Sequence, residues 1–277
     1  MQAATSAMMG AAETSRATHT LGNLLTDWAS PELLRRCGGL PITGLTDDSR
    51  QVRPGYVFVA VNGTQADGRR FVAEAVQRGA AVVVGEDLSA DGHAAVVSVA
   101  DARAALTTLA LRWHGLASDG CAGLKLLGIT GTNGKSTTAF MTRAILRAAG
   151  WKCGLLGTVL YDLCGRNVTA RMTTPGPLEL VSHLRECADA GAKAAVLEVS
   201  SHALAQKRTD GLRFAAAAFT NLTGDHLDYH GTPENYRAAK RRLFENLDGE
   251  AVAVVNGDDP QHEHLVAGCR ADRKSVV

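Results

Sequence analysis

The chain has no excess of either charge. Lys and Arg number 29 against 28 Asp and Glu, a formal net charge of +1 over 277 residues. So even a balance excludes a broad nucleic-acid groove or a polybasic membrane patch as the main business, while leaving room for a local basic pocket. No apolar run approaches the roughly 20 residues a membrane span needs, so insertion into a membrane is not expected. Metal-binding and disulfide patterns are missing too. The six cysteines, at 37, 121, 153, 164, 187 and 269, form no C-x-x-C and fit no zinc spacing. No secretory apolar segment precedes them, so reduced, mostly buried thiols in a cytoplasmic protein are expected. What is present is ordinary: 45% hydrophobic and 21% charged residues exclude whole-chain disorder and low-complexity architectures. The length allows about two domains.

Along the chain, strands and helices alternate. Residues 1–19 are small and polar and read as a mobile tail, with Met8 or Met9 a possible start. Residues 56–61, 80–86 and 94–99 are Val-rich runs that read as buried strands. Residues 72–80 and 101–115 read as helices, the second opened by an Asp cap and closed by Gly115. Small residues at 118–123 place a boundary, giving units 20–118 and 119–277. In the second unit, strands are expected at 125–130, 153–160, 192–200, 213–222 and 251–259, the last clear one. Helices are expected at 137–150, 178–191 and 232–247. The fold class is α/β, with a mostly parallel sheet in each unit.

The strongest chemical signal is Gly131-Thr132-Asn133-Gly134-Lys135-Ser136-Thr137, set between a buried strand and a helix. Glycines let backbone N–H groups wrap phosphate oxygens, and the helix N-terminus adds partial positive charge. Lys135 can reach β- and γ-phosphates, and the Ser136 hydroxyl can ligate Mg²⁺. The loop is shorter than G-x-x-x-x-G-K-[ST], because Ile129 stands where the first glycine would fall. Glu198 ends an apolar strand, which is costly unless it meets a cation or donors, and strand ends are where open α/β sheets gather ligands. The cluster from Thr220 to His230 follows another apolar run, and its Asp225 and His226 suit a metal or a phosphate-linked water. Taken alone, Lys240 reads as a solvated helix lysine. Asp48-Ser49-Arg50 and the Asn62-Gly63-Thr64 turn read as a loop pair suited to a nucleotide or diphosphate, or simply as capped turns.

In combination, DSRQVRPGYVFVAVNGTQADGRRF, GTNGKST, TTP at 173–175, EVSSHAL at 198–204, FTNLTGDHLDYHG and YRAAKRRLF resemble the Mur ligase family, most closely its MurE type, from about residue 20 to about 270. The resemblance implies an N-terminal UDP-binding domain, a central ATP-binding domain, and an ATP-dependent ligase. Such a ligase adds diaminopimelate or lysine to UDP-MurNAc-L-Ala-D-Glu in peptidoglycan synthesis, through an acyl phosphate. It implies that Gly131 to Thr137 cradle ATP. Ser136 and Glu198 would hold one Mg²⁺, and Glu198, His226 and a carbamylated Lys240 would hold or support a second. Lys135, Glu198, His226 and Lys240 would be the catalytic set. Asp47, Ser49, Thr64, Gln65 and Ala66 would meet the UDP end of the substrate. Thr173, Thr174, Ser200, Gln206 and Arg208 would grip the muramoyl-dipeptide. Asp47 and Met172 depart from that pattern, which touches fine substrate contacts only.

Ligases of this type have a third domain, so the chain is expected to be an incomplete fragment, inactive alone and monomeric, its DRKSVV ending an artificial one. Two alternatives stay open: a folylpolyglutamate or cyanophycin-type synthetase, and a non-catalytic nucleotide-binding fragment.

Overall fold

The structure, a computed structural model, describes residues 19–63, 66–88, 94–116, 121 and 123–276. Thr64, Gln65 and residues 1–18 therefore lie outside the described residues. His19 already belongs to the body, its ring stacked on Trp113 with centroids 4.3 Å apart.

Two short helices, α1 (Leu21–Leu25) and α2 (Pro31–Cys37), open the described chain, each capped by a hydroxyl, Thr20 and Ser30. Strands β1 (Gly44–Thr46), β2 (Tyr56–Ala60), β3 (Val82–Gly85) and β4 (Ala95–Ser98) then pair in that order, all parallel. Helix α3 (Val72–Gln77) crosses between β2 and β3, and α4 (Ala102–Trp113) follows β4. Val57, Val59, Val82 and Val84 face α4 and α1, while Phe58 and Val83 face α3; both faces are covered, which is why the strands are continuously apolar.

The second sheet has the order β12-β11-β10-β5-β9-β6-β7-β8. Its strands are β5 (Lys125–Thr130), β6 (Cys153–Leu156), β7 (Leu160–Asp162), β8 (Asn167–Thr169), β9 (Ala194–Glu198), β10 (Phe214–Phe219), β11 (Val252–Asn256) and β12 (Asp272–Val276). All pairings are parallel except β6–β7 and β7–β8. The helices are α5 (Lys135–Ala148), α6 (Pro177–Asp189), α7 (Ser201–Ala205), α8 (Leu227–His230), α9 (Pro233–Glu245) and α10 (His262–Val266).

The main expected elements appear, with shorter ends. Two differences stand out, at Gly157 and at the last strand. The single strand expected at 153–160 is broken at Gly157, and the chain returns as the antiparallel strand β7. A Cβ on Gly157 would stand 2.1 Å from Glu198 Oε1, so the turn is pressed against the end of β9. The alanine-rich run is strand β10, as expected, because it lies between β5 and β11 in the sheet interior. Finally, Asp272–Val276 adds β12 as an exposed edge strand beside β11. All six cysteines are free and four are buried. No helix among the described residues is long and apolar enough to cross a membrane.

The two sheets meet through α4, which packs on α6. Thr107 on α4 donates to Lys207 O at 3.1 Å, and Lys207 pairs with Asp101 at the start of α4.

Candidate nucleotide and substrate site

The C-terminal ends of β5, β9 and β10 sit side by side, and their loops build one site. The loop after β5 turns sharply enough to need glycine twice. Gly131 has φ +147°, and a Cβ there would stand 1.9 Å from Thr220 Oγ1. Gly134, at φ +82°, caps the 14-residue helix α5, whose first-turn N–H groups lack partners in the helix. The loop is braced from β10's side. Asn221 O accepts the Thr132 N–H (2.8 Å), Asn221 Oδ1 accepts the Asn133 N–H (3.0 Å), and Thr220 Oγ1 donates to Asn133 O (2.6 Å). The backbone is thus shaped for an anion before any anion arrives. Thr137, in the first turn of α5, is exposed.

Lys135 folds back on this loop and donates to Gly131 O (3.0 Å) and Thr132 O (2.7 Å). Burial lowers its pKa, offset in part by Glu198 and Asp225. Its ammonium therefore has phosphate-loop carbonyls to leave when a better anion is offered. Ser136 Oγ donates to Glu198 Oε2 at 2.8 Å. Glu198 is only 1% exposed and also accepts the Thr158 N–H (3.0 Å) and hydroxyl (3.1 Å). The buried carboxylate is thereby satisfied, as the cost of burial requires. A hydroxyl and a carboxylate in contact at the helix start are hard oxygen donors of the kind Mg²⁺ takes, so this pair fits one such ion.

Lys240 overturns the reading of a solvated lysine: it is 1% exposed. Helix α9 turns Tyr236, Ala239, Lys240, Leu243 and Phe244 inward, and Lys240 falls within that apolar stripe. Its Nζ donates to Gly131 O at 2.8 Å and lies 4.5 Å from the Tyr236 ring centroid. Burial, and then the neighbouring Lys135, bring its pKa down to about 7. As an unmodified amine it is a donor here, not a ligand. His226 has φ +53° and is half exposed, 3.6 Å from Asp225, with the His202 ring edge-on at 4.8 Å. Among the described residues, no three His, Cys, Asp or Glu side chains converge as a metal group. A second ion on His226 and Lys240 would need the lysine converted to an anion.

The expected substrate residues divide. Thr173, Thr174 and Ser200 sit beside Glu198. Thr173 Oγ1 lies 3.1 Å from Thr158 Oγ1, whose proton goes to Glu198; Thr174 Oγ1 donates to Glu198 O (2.8 Å) and accepts the Ser200 N–H (3.0 Å), and Ser200 Oγ caps α7. Gln206 Oε1 accepts from Arg208 (2.7 Å), and Arg208 donates to Thr174 O (2.7 Å). Gln206 and Arg208 line a cavity of about 180 Å³ with Asp47, Val61, Arg103, Leu106, Met172, Gly176 and Pro177. This cavity takes Asp47 from the loop after β1 and Gln206 and Arg208 from the segment after α7. Though solvent reaches Asp47, the crowding of the cleft walls raises its pKa. Ser49 is not in this cavity; it is buried and donates to Glu74 (2.7 Å). Ala66 O accepts the Gly63 N–H (2.8 Å).

Thr158, Arg103 and Tyr236 carried no site expectation from the sequence, and Asn221 entered only as part of the Thr220–His230 cluster. Tyr236 had a signal: it precedes Lys240 by four residues, one helical turn on the same face.

Comparison with known proteins gives the family. Residues 129–277 match the Mur ligase middle domain, and residues 41–114 match the Mur ligase family catalytic domain. Among curated proteins, the UDP-N-acetylmuramoyl-L-alanyl-D-glutamate--2,6-diaminopimelate ligase of Chlorobaculum tepidum is 47% identical over 234 residues, covering 84% of this chain and 46% of its own length. That of Solibacter usitatus is 44% identical over 257 residues, covering 91% and 51%. The chain spans about half the length of the curated relatives it matches. A solved UDP-N-acetylmuramoyl-L-alanyl-D-glutamate--2,6-diaminopimelate ligase superposes with a TM-score of 0.77 at 28% identity, covering 93% of this chain and 52% of the other.

Proposed function

Since the chain belongs to the Mur ligase family, we propose that it serves ATP-dependent amide ligation, joining an amino acid to UDP-MurNAc-L-Ala-D-Glu in the cytoplasm. The observation that carries this reading is one loop cluster. The glycine turn at 131–134, Lys135, the Ser136–Glu198 pair and buried Lys240 meet at the ends of β5 and β9. A cavity lined by Asp47, Gln206 and Arg208 is tied to this cluster through Thr174, which bonds both Arg208 and Glu198.

In this reading ATP lies on the loop amides and the N-terminus of α5, and Lys135 leaves its carbonyls for the β- and γ-phosphates. Ser136 and Glu198 would hold one Mg²⁺, with His226 and carbamylated Lys240 supporting a second. The metal supplies charge neutralisation where an anionic carboxylate approaches an anionic phosphate. The D-Glu carboxylate oxygen attacks the γ-phosphorus, ADP leaves, and an acyl phosphate remains. The incoming amine attacks the acyl carbon, phosphate departs, and the amine's proton passes to solvent. Thr173, Thr174, Ser200, Gln206 and Arg208 would orient the muramoyl-dipeptide. Ser49 and the Thr64–Ala66 turn, with Asp47, would hold the UDP end. The division at residues 118 and 119 into substrate-binding and ATP-binding units, and a monomeric state, belong to this proposal. Diaminopimelate is the first amine to test, because the relatives' names carry it.

The test titrates the chain with Mg·ATP and with UDP-MurNAc-dipeptide, then follows ADP and amide formation with diaminopimelate or lysine. Binding of both ligands, with dipeptide-dependent ADP release, supports the proposal. Binding of neither overturns it. Binding of both without ADP favours the alternative, a nucleotide- and substrate-binding unit without turnover.

A further inference from the structure

Two buried side chains of α9, Tyr236 and Lys240, meet the glycine loop at Thr132 and Gly131. Tyr236 on α9 is 2% exposed, and its phenol oxygen lies 3.0 Å from Thr132 Oγ1. The Thr132 hydroxyl accepts the Thr223 N–H at 3.0 Å and faces Thr223 O at 3.1 Å. A hydroxyl has one proton. If Thr132 gives its proton to Thr223 O, the phenol must donate to Thr132, and every group there is satisfied. The same tyrosine ring lies under Lys240 Nζ, whose bond goes to Gly131 O, the residue before Thr132. The His230 and His226 rings pack around it at 5.3 and 6.4 Å.

We propose that Tyr236 is a positioning residue: its hydroxyl sets the phosphate loop through Thr132, while its ring seats Lys240 against Gly131. It touches neither nucleotide nor substrate. One side chain thus couples the loop that receives the nucleotide to the helix that carries Lys240. This rests on the nucleotide site proposed above. The assignment excludes a purely space-filling role, for which Phe would serve as well.

The experiment is a double-mutant cycle on Mg·ATP affinity with Tyr236→Phe, Thr132→Val and the double variant. Tyr236→Phe is expected to weaken binding about fivefold, the scale of one buried hydrogen bond. The double variant should bind no worse than Thr132→Val alone, because both changes remove one link. Unchanged affinity in Tyr236→Phe, or additive losses, overturns the proposal. A second readout needs no nucleotide. Hydrogen exchange at the Thr132 amide, held by Asn221 O at 2.8 Å, should quicken in Tyr236→Phe while the β2 amides keep their rates. If the unchanged chain takes up no ATP, the nucleotide reading fails, and the exchange result alone decides on Tyr236: an unaltered Thr132 rate overturns it.

Discussion

The phosphate loop and the cleft beside the first sheet are built in opposite ways. Around the loop, seven consecutive residues supply the shape, and β10 and α9 lock it through Thr220, Asn221 and Tyr236. In the cleft, the residues come from five separated segments, marked by Asp47, Val61, Arg103, Met172 and the pair Gln206 and Arg208. Several of their polar groups already hold one another, as Arg208 holds Gln206 and Thr174 O. The loop is braced by neighbouring side chains and leaves helix N–H groups free for an anion. The cleft depends on how the two sheets are held together by α4 and α6. A local motif can be set by backbone sterics, whereas a site spanning two sheets needs the interface first.

That contrast can be broken most severely at Gly131. Gly131→Ala places a methyl 1.9 Å from Thr220 Oγ1 at φ +147°. Mg·ATP affinity in a titration should fall by about 100-fold or more, given strain of order 1–3 kcal/mol plus the lost loop shape, with the cleft's affinity for UDP-MurNAc-dipeptide retained. Loss of both ligands together would show the regions are not independent.

Next comes pH. Lys240 has a folded pKa of about 7 against an ordinary 10.5. Between those values the unfolded chain holds the proton and the folded chain does not. Stability therefore rises with pH across that window and is lost as pH falls toward 7. Lys240→Met should flatten the slope of urea-unfolding free energy between pH 7 and 10. A slope unchanged in the variant would assign it to another group.

Glu198→Gln removes a carboxylate that accepts from Ser136 and twice from Thr158. It should cost about 1–3 kcal/mol in urea unfolding and weaken the Mg²⁺ dependence of ATP binding. The smallest effect is expected at the first sheet's own support. Arg112 donates to Leu24 O (2.6 Å) and lies 5.0 Å from the Trp28 ring. Arg112→Ala should cost about 1–2 kcal/mol and leave ATP affinity unchanged.

Much of the site was legible where signals were local. The glycines, Lys135 and Ser136 lie in one stretch, and Glu198 stands out as an acid ending an apolar strand. Lys240 was legible only through the family resemblance, because by itself a lysine among arginines on a polar helix reads as solvated. Only the inward stripe Tyr236, Ala239, Lys240, Leu243 reveals its side. The break at Gly157 escaped because CGLLGTVL is apolar throughout, and nothing in its pattern says the chain must turn away from Glu198.

By itself, then, the sequence determined the α/β alternation, the glycine loop at a strand end and the family resemblance, since these depend on backbone sterics and apolar periodicity over a few neighbours. Only the tertiary structure decided that Lys240 is buried on Gly131 O, that Tyr236 reaches Thr132, and that Asp47 shares a cavity with Arg208. Those contacts join residues more than 100 positions apart, and they exist only after the sheets have set which loops stand side by side.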